Sequence, residues 1–365
     1  MASAPEAGQP TAELVDWALA ERIAVRVAGT ELWAGSYHAD SLGPDFAQFT
    51  AEAERLVESE TGLYSNAGPA RARVTDRAGW VLANVASFRR LLRPLGQTFG
   101  DRLGRGPLGP FARKAAGAEV GALLGWMSTR VLGQYDLLLI EDDEPDEQDL
   151  VYYVGPNVLA LEKRYGFPPR EFRLWLALHE VTHRAQFTGV PWMRTHFLSL
   201  VEGALGSVDP DPTRLLHALR RLADSARDRR NPFADGGLAT LLASPEQAAV
   251  LDQIGGLMSL LEGHGDVTMD RAGAGRIPNA ERFGRVLRAR RRSVSPGIRL
   301  LQQILGLEAK LAQYEQGERF IAAVERAGGP QLLNSAFEAP IMLPTLGEIR
   351  APDRWIERVT SRSTV

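Results

Sequence analysis

Residues 172 to 187 read Phe-Arg-Leu-Trp-Leu-Ala-Leu-His-Glu-Val-Thr-His-Arg-Ala-Gln-Phe. Phe172, Leu176, His179, His183 and Phe187 recur at steps of four, three, four and four, which is one face of an α-helix. Two histidines thus continue an apolar stripe, as on a helix buried beneath a cleft. Side chains one turn apart reach a common point, so both imidazoles can bind a single ion. Glu180 sits about 100° round the axis, within reach of a water on that ion and not of the ion itself. Zn²⁺ lowers the pKa of bound water to about 7, and a neighbouring carboxylate takes its proton during attack on a carbonyl. The segment therefore predicts a helix with His179 and His183 as zinc ligands and Glu180 as general base.

A catalytic zinc takes three protein ligands and a water. No histidine follows Gly189 at a useful spacing, and His196 falls on the next helix. Further on, Leu261-Glu262-Gly263-His264-Gly265-Asp266 continues an apolar-periodic segment with Ile254, Leu257 and Leu260. Glu262 and Asp266 share one helical face, whereas His264 points elsewhere. Ranked on that geometry, the third ligand is Glu262, then His264, then Asp266. With Glu262 on the metal, Asp266 resembles the gluzincin aspartate that orients a ligand histidine through its free ring nitrogen. His264 is then a donor to a developing oxyanion, or a core or solvated histidine.

Composition narrows the alternatives. The chain has 365 residues, a formal charge of -3 and ordinary shares of apolar and charged residues. Neither nucleic acid nor an anionic membrane is favoured as a partner. Cysteine is absent, which excludes disulfides, thiol nucleophiles, iron–sulfur clusters and cysteine-bound zinc. Any metal must be held by His, Asp, Glu and water. These features and the lack of a signal-like N-terminus point to a cytoplasmic protein. The apolar run from Gly117 to Met127 contains Glu119 and is too short to span a bilayer. Its glycines, Gly117, Gly121 and Gly125, mark a helix that a neighbour approaches closely.

The fold class expected is mainly α (α+β), with a small antiparallel sheet among many helices. Apolar periodicity predicts helices over Thr11–Val27, Pro44–Glu58, Pro110–Leu132, Pro245–Ala272, Ala280–Arg291 and Leu300–Ala327, and another opening at Thr75-Asp76. Tyr135–Ile140 and Leu150–Val154 read as two strands flanking an acidic stretch, Glu141 to Asp149, with Gly155-Pro156-Asn157 closing the second. The latter strand lies just before the motif helix, where it could pair with an extended substrate. From Pro340 onward the chain reads as extended and pinned by its apolar residues. The organisation is thus a flexible lead-in (1–10), a helical N-terminal region (11–134) and a catalytic region with a helical C-terminal part (135–365), forming one compact unit.

Other signals carry less. Gly104-Arg105-Gly106-Pro107-Leu108-Gly109 spells a dinucleotide fingerprint but follows a helical stretch, and Pro107 removes a needed N–H. Arg288, Arg290, Arg291 and Arg292 spread round a helix as a solvated face. The acidic stretch lacks the ligand spacing of a calcium loop, and Tyr314 reads as core packing.

The segment Leu178 to Phe187 together with Glu262-Gly263-His264 and Met269-Asp270 resembles a zincin-like family of hydrolases. So do Gly306-Leu307-Glu308 through Lys310, Gln313-Tyr314 and Gly317, Gly133-Gln134-Tyr135-Asp136, and Leu343-Pro344-Thr345 with Trp355. Its members are often labelled as associated with biosynthesis of the deazaflavin coenzyme. The resemblance runs from about Glu13 to Val359 and implies a metallopeptidase-like helical fold, with His179, Glu180 and His183 in the zincin roles. It implies no substrate. The function expected is zinc-dependent hydrolysis of a peptide or other small amide. The rival is a zincin-fold pseudo-enzyme that keeps its metal as a binding or assembly protein.

Overall fold

The computed structural model describes residues 14–31, 35–92, 109–135, 137, 149–206, 245–292 and 307–362. The lead-in, the fingerprint up to Leu108, the acidic stretch before Asp149 and the start of the helix expected from Leu300 lie outside these residues, as do the side chains of Arg291, Arg292 and Tyr314.

The architecture is mainly α with one small sheet. At its centre is the motif helix α7 (Pro169–Gly189), preceded by α1 (Trp17–Ala28), α2 (Tyr37–Asp40), α3 (Leu42–Thr61), α4 (Arg77–Leu91), α5 (Gly109–Ser128) and α6 (Gly155–Tyr165). After it come α8 (Met193–Gly206), α9 (Pro245–Ala272), α10 (Ala280–Arg292), α11 (Leu307–Asn334), α12 (Leu346–Arg350) and α13 (Pro352–Arg362). The apolar residues of α7 are spread round its whole circumference, so it is buried on nearly every side. On one flank Phe46, Phe49, Ala53 and Val57 of α3 share its core; on the other, Leu257 and Leu261 of α9. Phe172 and Trp175 meet Phe283 of α10 edge to face.

The sheet is mixed, where sequence predicted an antiparallel pair. The strands β1 (Arg71–Thr75), β2 (Gly133–Tyr135) and β3 (Leu150–Val154) run in the order β1-β3-β2, with β1 parallel and β2 antiparallel to β3. Arg-Ala-Arg-Val-Thr was hidden because its arginines interrupt the apolar pattern and its Thr75 adjoins the Asp76 cap of α4. Every residue of β3 is buried, as expected of a central strand covered on both faces. Val151 and Tyr153 face the α3–α7 side, and Tyr153 stacks on Phe46 at 3.9 Å. Val154 faces the N-terminal helices. Because both edges of β3 are paired, it cannot receive a substrate strand, contrary to the sequence expectation.

Two further clusters complete the core. Trp17, Ala20 and Ala24 of α1, Trp80 and Val81 of α4, and Leu124 of α5 form the first. The second joins α9 and α11 to the C-terminus around Phe320 and Trp355. The C-terminal stretch is helical, not extended. Thr345 and Glu348 form a capping box, and Pro352 occupies a first turn, where its missing N–H has no intrahelical role. Gly155-Pro156-Asn157 follows the strand's end at Val154, as expected, and also opens α6. Trp355 does pin this stretch, donating from Nε1 to the Met342 carbonyl at 2.7 Å. Among the described residues no helix is long and apolar enough to cross a membrane.

Candidate functional site

His179 and His183 project from α7 towards α9, which passes close beneath both rings. The backbone of α9 comes so near that a Cβ on Gly265 would lie 3.3 Å from Cε1 and 3.7 Å from Nε2 of His183. One turn earlier, Glu262 extends into the same space, with Oε2 3.6 Å from His183 Nε2. His179, His183 and Glu262 each offer one ligand atom, and these atoms all lie within 4.8 Å of one another. Asp266 Oδ1 lies 3.9 Å from His179 Nδ1, beyond hydrogen-bond length but beside the ring it was expected to orient. The structure thus gathers the first-ranked trio, places Asp266 against His179, and leaves His264 outside the ligand group.

The fit to zinc rests on the donor set. Two imidazoles and a carboxylate in a cysteine-free chain are a hydrolytic zinc set. Two ligands about 2.0–2.1 Å from one tetrahedral ion stand about 3.3–3.5 Å apart, close to the 3.6 Å between His183 and Glu262.

Glu180 is buried beneath the edge strand. Ladder bonds fall at Leu132/Val154 and Gln134/Tyr152, because Val154 N–H donates to the Leu132 carbonyl and residues in the pair alternate. Gly133 and Tyr135 therefore direct their N–H and C=O away from β3. The Tyr135 N–H donates to the Glu180 carboxylate. Gly133 gives it room, since a Cβ there would lie 2.6 Å from both Cγ and Oε1 of Glu180. On the other face, Gln134 accepts from Trp80 Nε1 at 2.8 Å, tying the strand to α4.

Burial raises the Glu180 pKa to about 7, with Glu262 adding to the rise while His183 and the Tyr135 N–H oppose it. For His183, burial disfavours the charged ring. The Glu262 carboxylate, with Glu180 and Gln186, outweighs it and lifts the pKa to about 9. Burial, aided by His183 and Arg271, lowers His264 to about 4, so that ring is neutral near pH 7.

Gln186, fully buried, was not singled out by its chemistry, although it lies within the segment that carries the family resemblance. Its Oε1 lies 3.0 Å from His183 Nδ1, and its amide donates to the Leu261 carbonyl and to His264 Nδ1, both at 3.0 Å. The two donations fix the amide orientation, so His183 Nδ1 carries a proton and its Nε2 lone pair is left for the site. They also leave the His264 proton on Nε2. A clue was present in the sequence: Gln186 is three residues beyond His183, one turn along the helix. Arg184, also buried, grips Asp149 through Nε and Nη2 and Glu54 through Nη1. It ties the motif helix to α3 and to the start of β3.

The chain matches the sequence model of a family described as zincin-like metallopeptidase over residues 15–356. Among solved structures it is similar to one from Chloroflexus aurantiacus, described as a "putative hydrolase with a novel fold". The two are 31% identical, the match covers 95% of this chain and 99% of that one, and the TM-score is 0.70. No curated protein matches.

Proposed function

Since the chain belongs to the zincin-like metallopeptidase family, we propose that it is a zinc-dependent hydrolase of peptide or other amide bonds, with a gluzincin-type site. One observation carries the reading: ligand atoms of His179, His183 and Glu262 lie within 4.8 Å of one another, with the Glu180 carboxylate on the next residue of the same helix. His179, His183 and Glu262 would hold the metal. Zinc bound there supplies Lewis acidity, polarising the carbonyl and making water a stronger acid.

The chain's own groups do the rest. Glu180 takes the proton of the attacking water and returns it to the leaving nitrogen. A pKa near neutrality suits both transfers. Gln186 holds the His183 ring through Nδ1, and Asp266 stands against His179. His264, with its proton on Nε2, is the donor we assign to the developing oxyanion. The outward N–H and C=O of Gly133 and the outward C=O of Tyr135 can pair with an extended substrate, the part first expected of β3.

Metal analysis of the purified protein and of Glu180→Gln, followed by a peptide-library cleavage screen, tests this. About one equivalent of zinc in both, with cleavage only by the unmodified protein, is expected. Absence of bound metal sinks the reading. Zinc retained without cleavage of any peptide or amide supports the metal-containing binding protein instead.

A further inference from the structure

We propose that Arg194 is a specificity residue that receives a carboxylate of the substrate at the Tyr135 end of the cleft. This rests on the hydrolase reading and names the substrate class of the same site.

Three observations carry it. Arg194 is half-buried at the start of α8 and donates to the Tyr135 hydroxyl, with its guanidinium 5.8 Å from the centre of that ring. Tyr135 is also the residue whose N–H bonds Glu180. Its ring lies 6.3 Å from that of Phe187, one turn beyond His183. The guanidinium is therefore joined through a single residue, Tyr135, to the base.

The second observation concerns charge. Among the described residues two carboxylates and two guanidiniums meet here, but they are divided unequally. Arg184 takes both Asp149 and Glu54. The Tyr135 hydroxyl donates to Asp149 at 3.0 Å, so its oxygen accepts from Arg194. Among the described residues Arg194 has no carboxylate within ion-pair distance. A guanidinium has five N–H donors in a planar fork that matches a carboxylate, and the neutral phenol occupies one of its nitrogens.

The third is strand polarity. A substrate chain antiparallel to β2 runs from Tyr135 towards Gly133. Arg194 then meets a residue on the N-terminal side of the scissile bond. The ligand chemistry is an acidic side chain, Glu or Asp, in a peptide or acyl-amide substrate.

The test uses N-acetyl tetrapeptide hydroxamates, whose end group chelates zinc, made in pairs with Glu or Gln at each position in turn. Affinity for the zinc-loaded protein is measured by calorimetry, beside hydrolysis of the matching peptide amides. At one position the Glu probe binds about 10-fold tighter than its Gln partner, as a charge-assisted hydrogen bond predicts. Arg194→Gln abolishes that preference, and an unchanged circular dichroism spectrum and zinc content report an intact fold. Arg194→Lys keeps part of it. Equal binding of every pair, or a preference that survives Arg194→Gln, overturns the inference and leaves the hydrolase reading standing. A preference of this kind with no hydrolysis of any amide sinks the hydrolase reading alone. No binding by any hydroxamate overturns both.

Discussion

The α1–α5 contact and the α9–α11 contact are both closed by glycine, yet only the second adjoins the candidate metal ligands. In the first, Gly117, Gly121 and Gly125 on one helix face the backbone of Asp16, Ala20 and Ala24. A Cβ on Gly117 would lie 2.5 Å from the Asp16 carbonyl oxygen, and one on Gly125 2.5 Å from that of Ala24. In the second, single glycines from distant parts of the chain meet, Gly263 against Gly317, each leaving no room for a Cβ on the other side. Gly263 stands between Glu262 and His264. The same packing device thus holds a scaffold in one place and sets the depth of a ligand in the other.

That contrast predicts where metal affinity resides. Glu262→Gln keeps the side-chain volume but replaces a carboxylate ligand with a neutral amide. Zinc affinity by competition with a chelator should fall more than about 100-fold, beyond the loss typical of an outer-sphere change. An unchanged affinity removes Glu262 from the ligand set. A glycine that makes room for a side chain, not a helix, comes next. Gly133→Ala pushes against Glu180 while leaving the ligands in place. The expected result is a loss of about 100-fold in kcat, the scale of a misplacement of about 1 Å, with zinc content unchanged. Zinc lost along with activity would show that Gly133 supports the ligands and not the base.

The seams are separated directly by one pair of substitutions. Gly263→Ala and Gly121→Ala each force a methyl into backbone, and each should cost about 1–3 kcal/mol in denaturant unfolding. Only Gly263→Ala should also weaken zinc, by about 10-fold, because the strain falls on the turn that holds Glu262. Equal zinc affinity in the two variants would erase the functional difference between the seams.

The legibility of these features in sequence follows the same division. Gly117, Gly121 and Gly125 repeat every fourth residue on one helix, so periodicity exposes them as a packing face. Gly263 and Gly317 repeat nothing; their pairing exists only once α9 and α11 meet. The motif helix was plain because its ligand stripe and its apolar stripe coincide, and α9 was placed from Pro245 to Ala272 by periodicity alone. Glu262 was reached because helical geometry selects one face of a short acidic run. By contrast, Gln186 and Arg184 act through partners far along the chain, Leu261, Asp149 and Glu54, which no local pattern reveals. The strand Arg71–Thr75 is too short and too charged to announce itself, and the C-terminal helices were masked by prolines that begin helices as readily as they break extended chain.

The smallest effect expected is also the one that needs charge as well as packing. In the metal-free protein Glu180 titrates near 7, above the 4.5 of an ordinary glutamate, and His183 near 9, above 6.5. A group whose pKa is raised on folding adds stability below its unfolded value and loses it as pH climbs through the folded one. Both groups therefore weaken the metal-free fold with rising pH, Glu180 between 4.5 and about 7 and His183 between 6.5 and about 9. His264, lowered to about 4, works in the opposite direction, but only below 6.5. Above that pH the two raised groups act without opposition from His264. Urea unfolding of the metal-free protein should show stability falling steadily from pH 6.5 to 9. Glu180→Gln should flatten the curve, since it removes one raised group and part of the field that raises the other. Gly121→Ala, remote from all three groups, should lower the curve without changing its slope. A slope that survives Glu180→Gln intact, or that changes with Gly121→Ala, would mean that the buried charges do not belong to the α7–α9 contact alone.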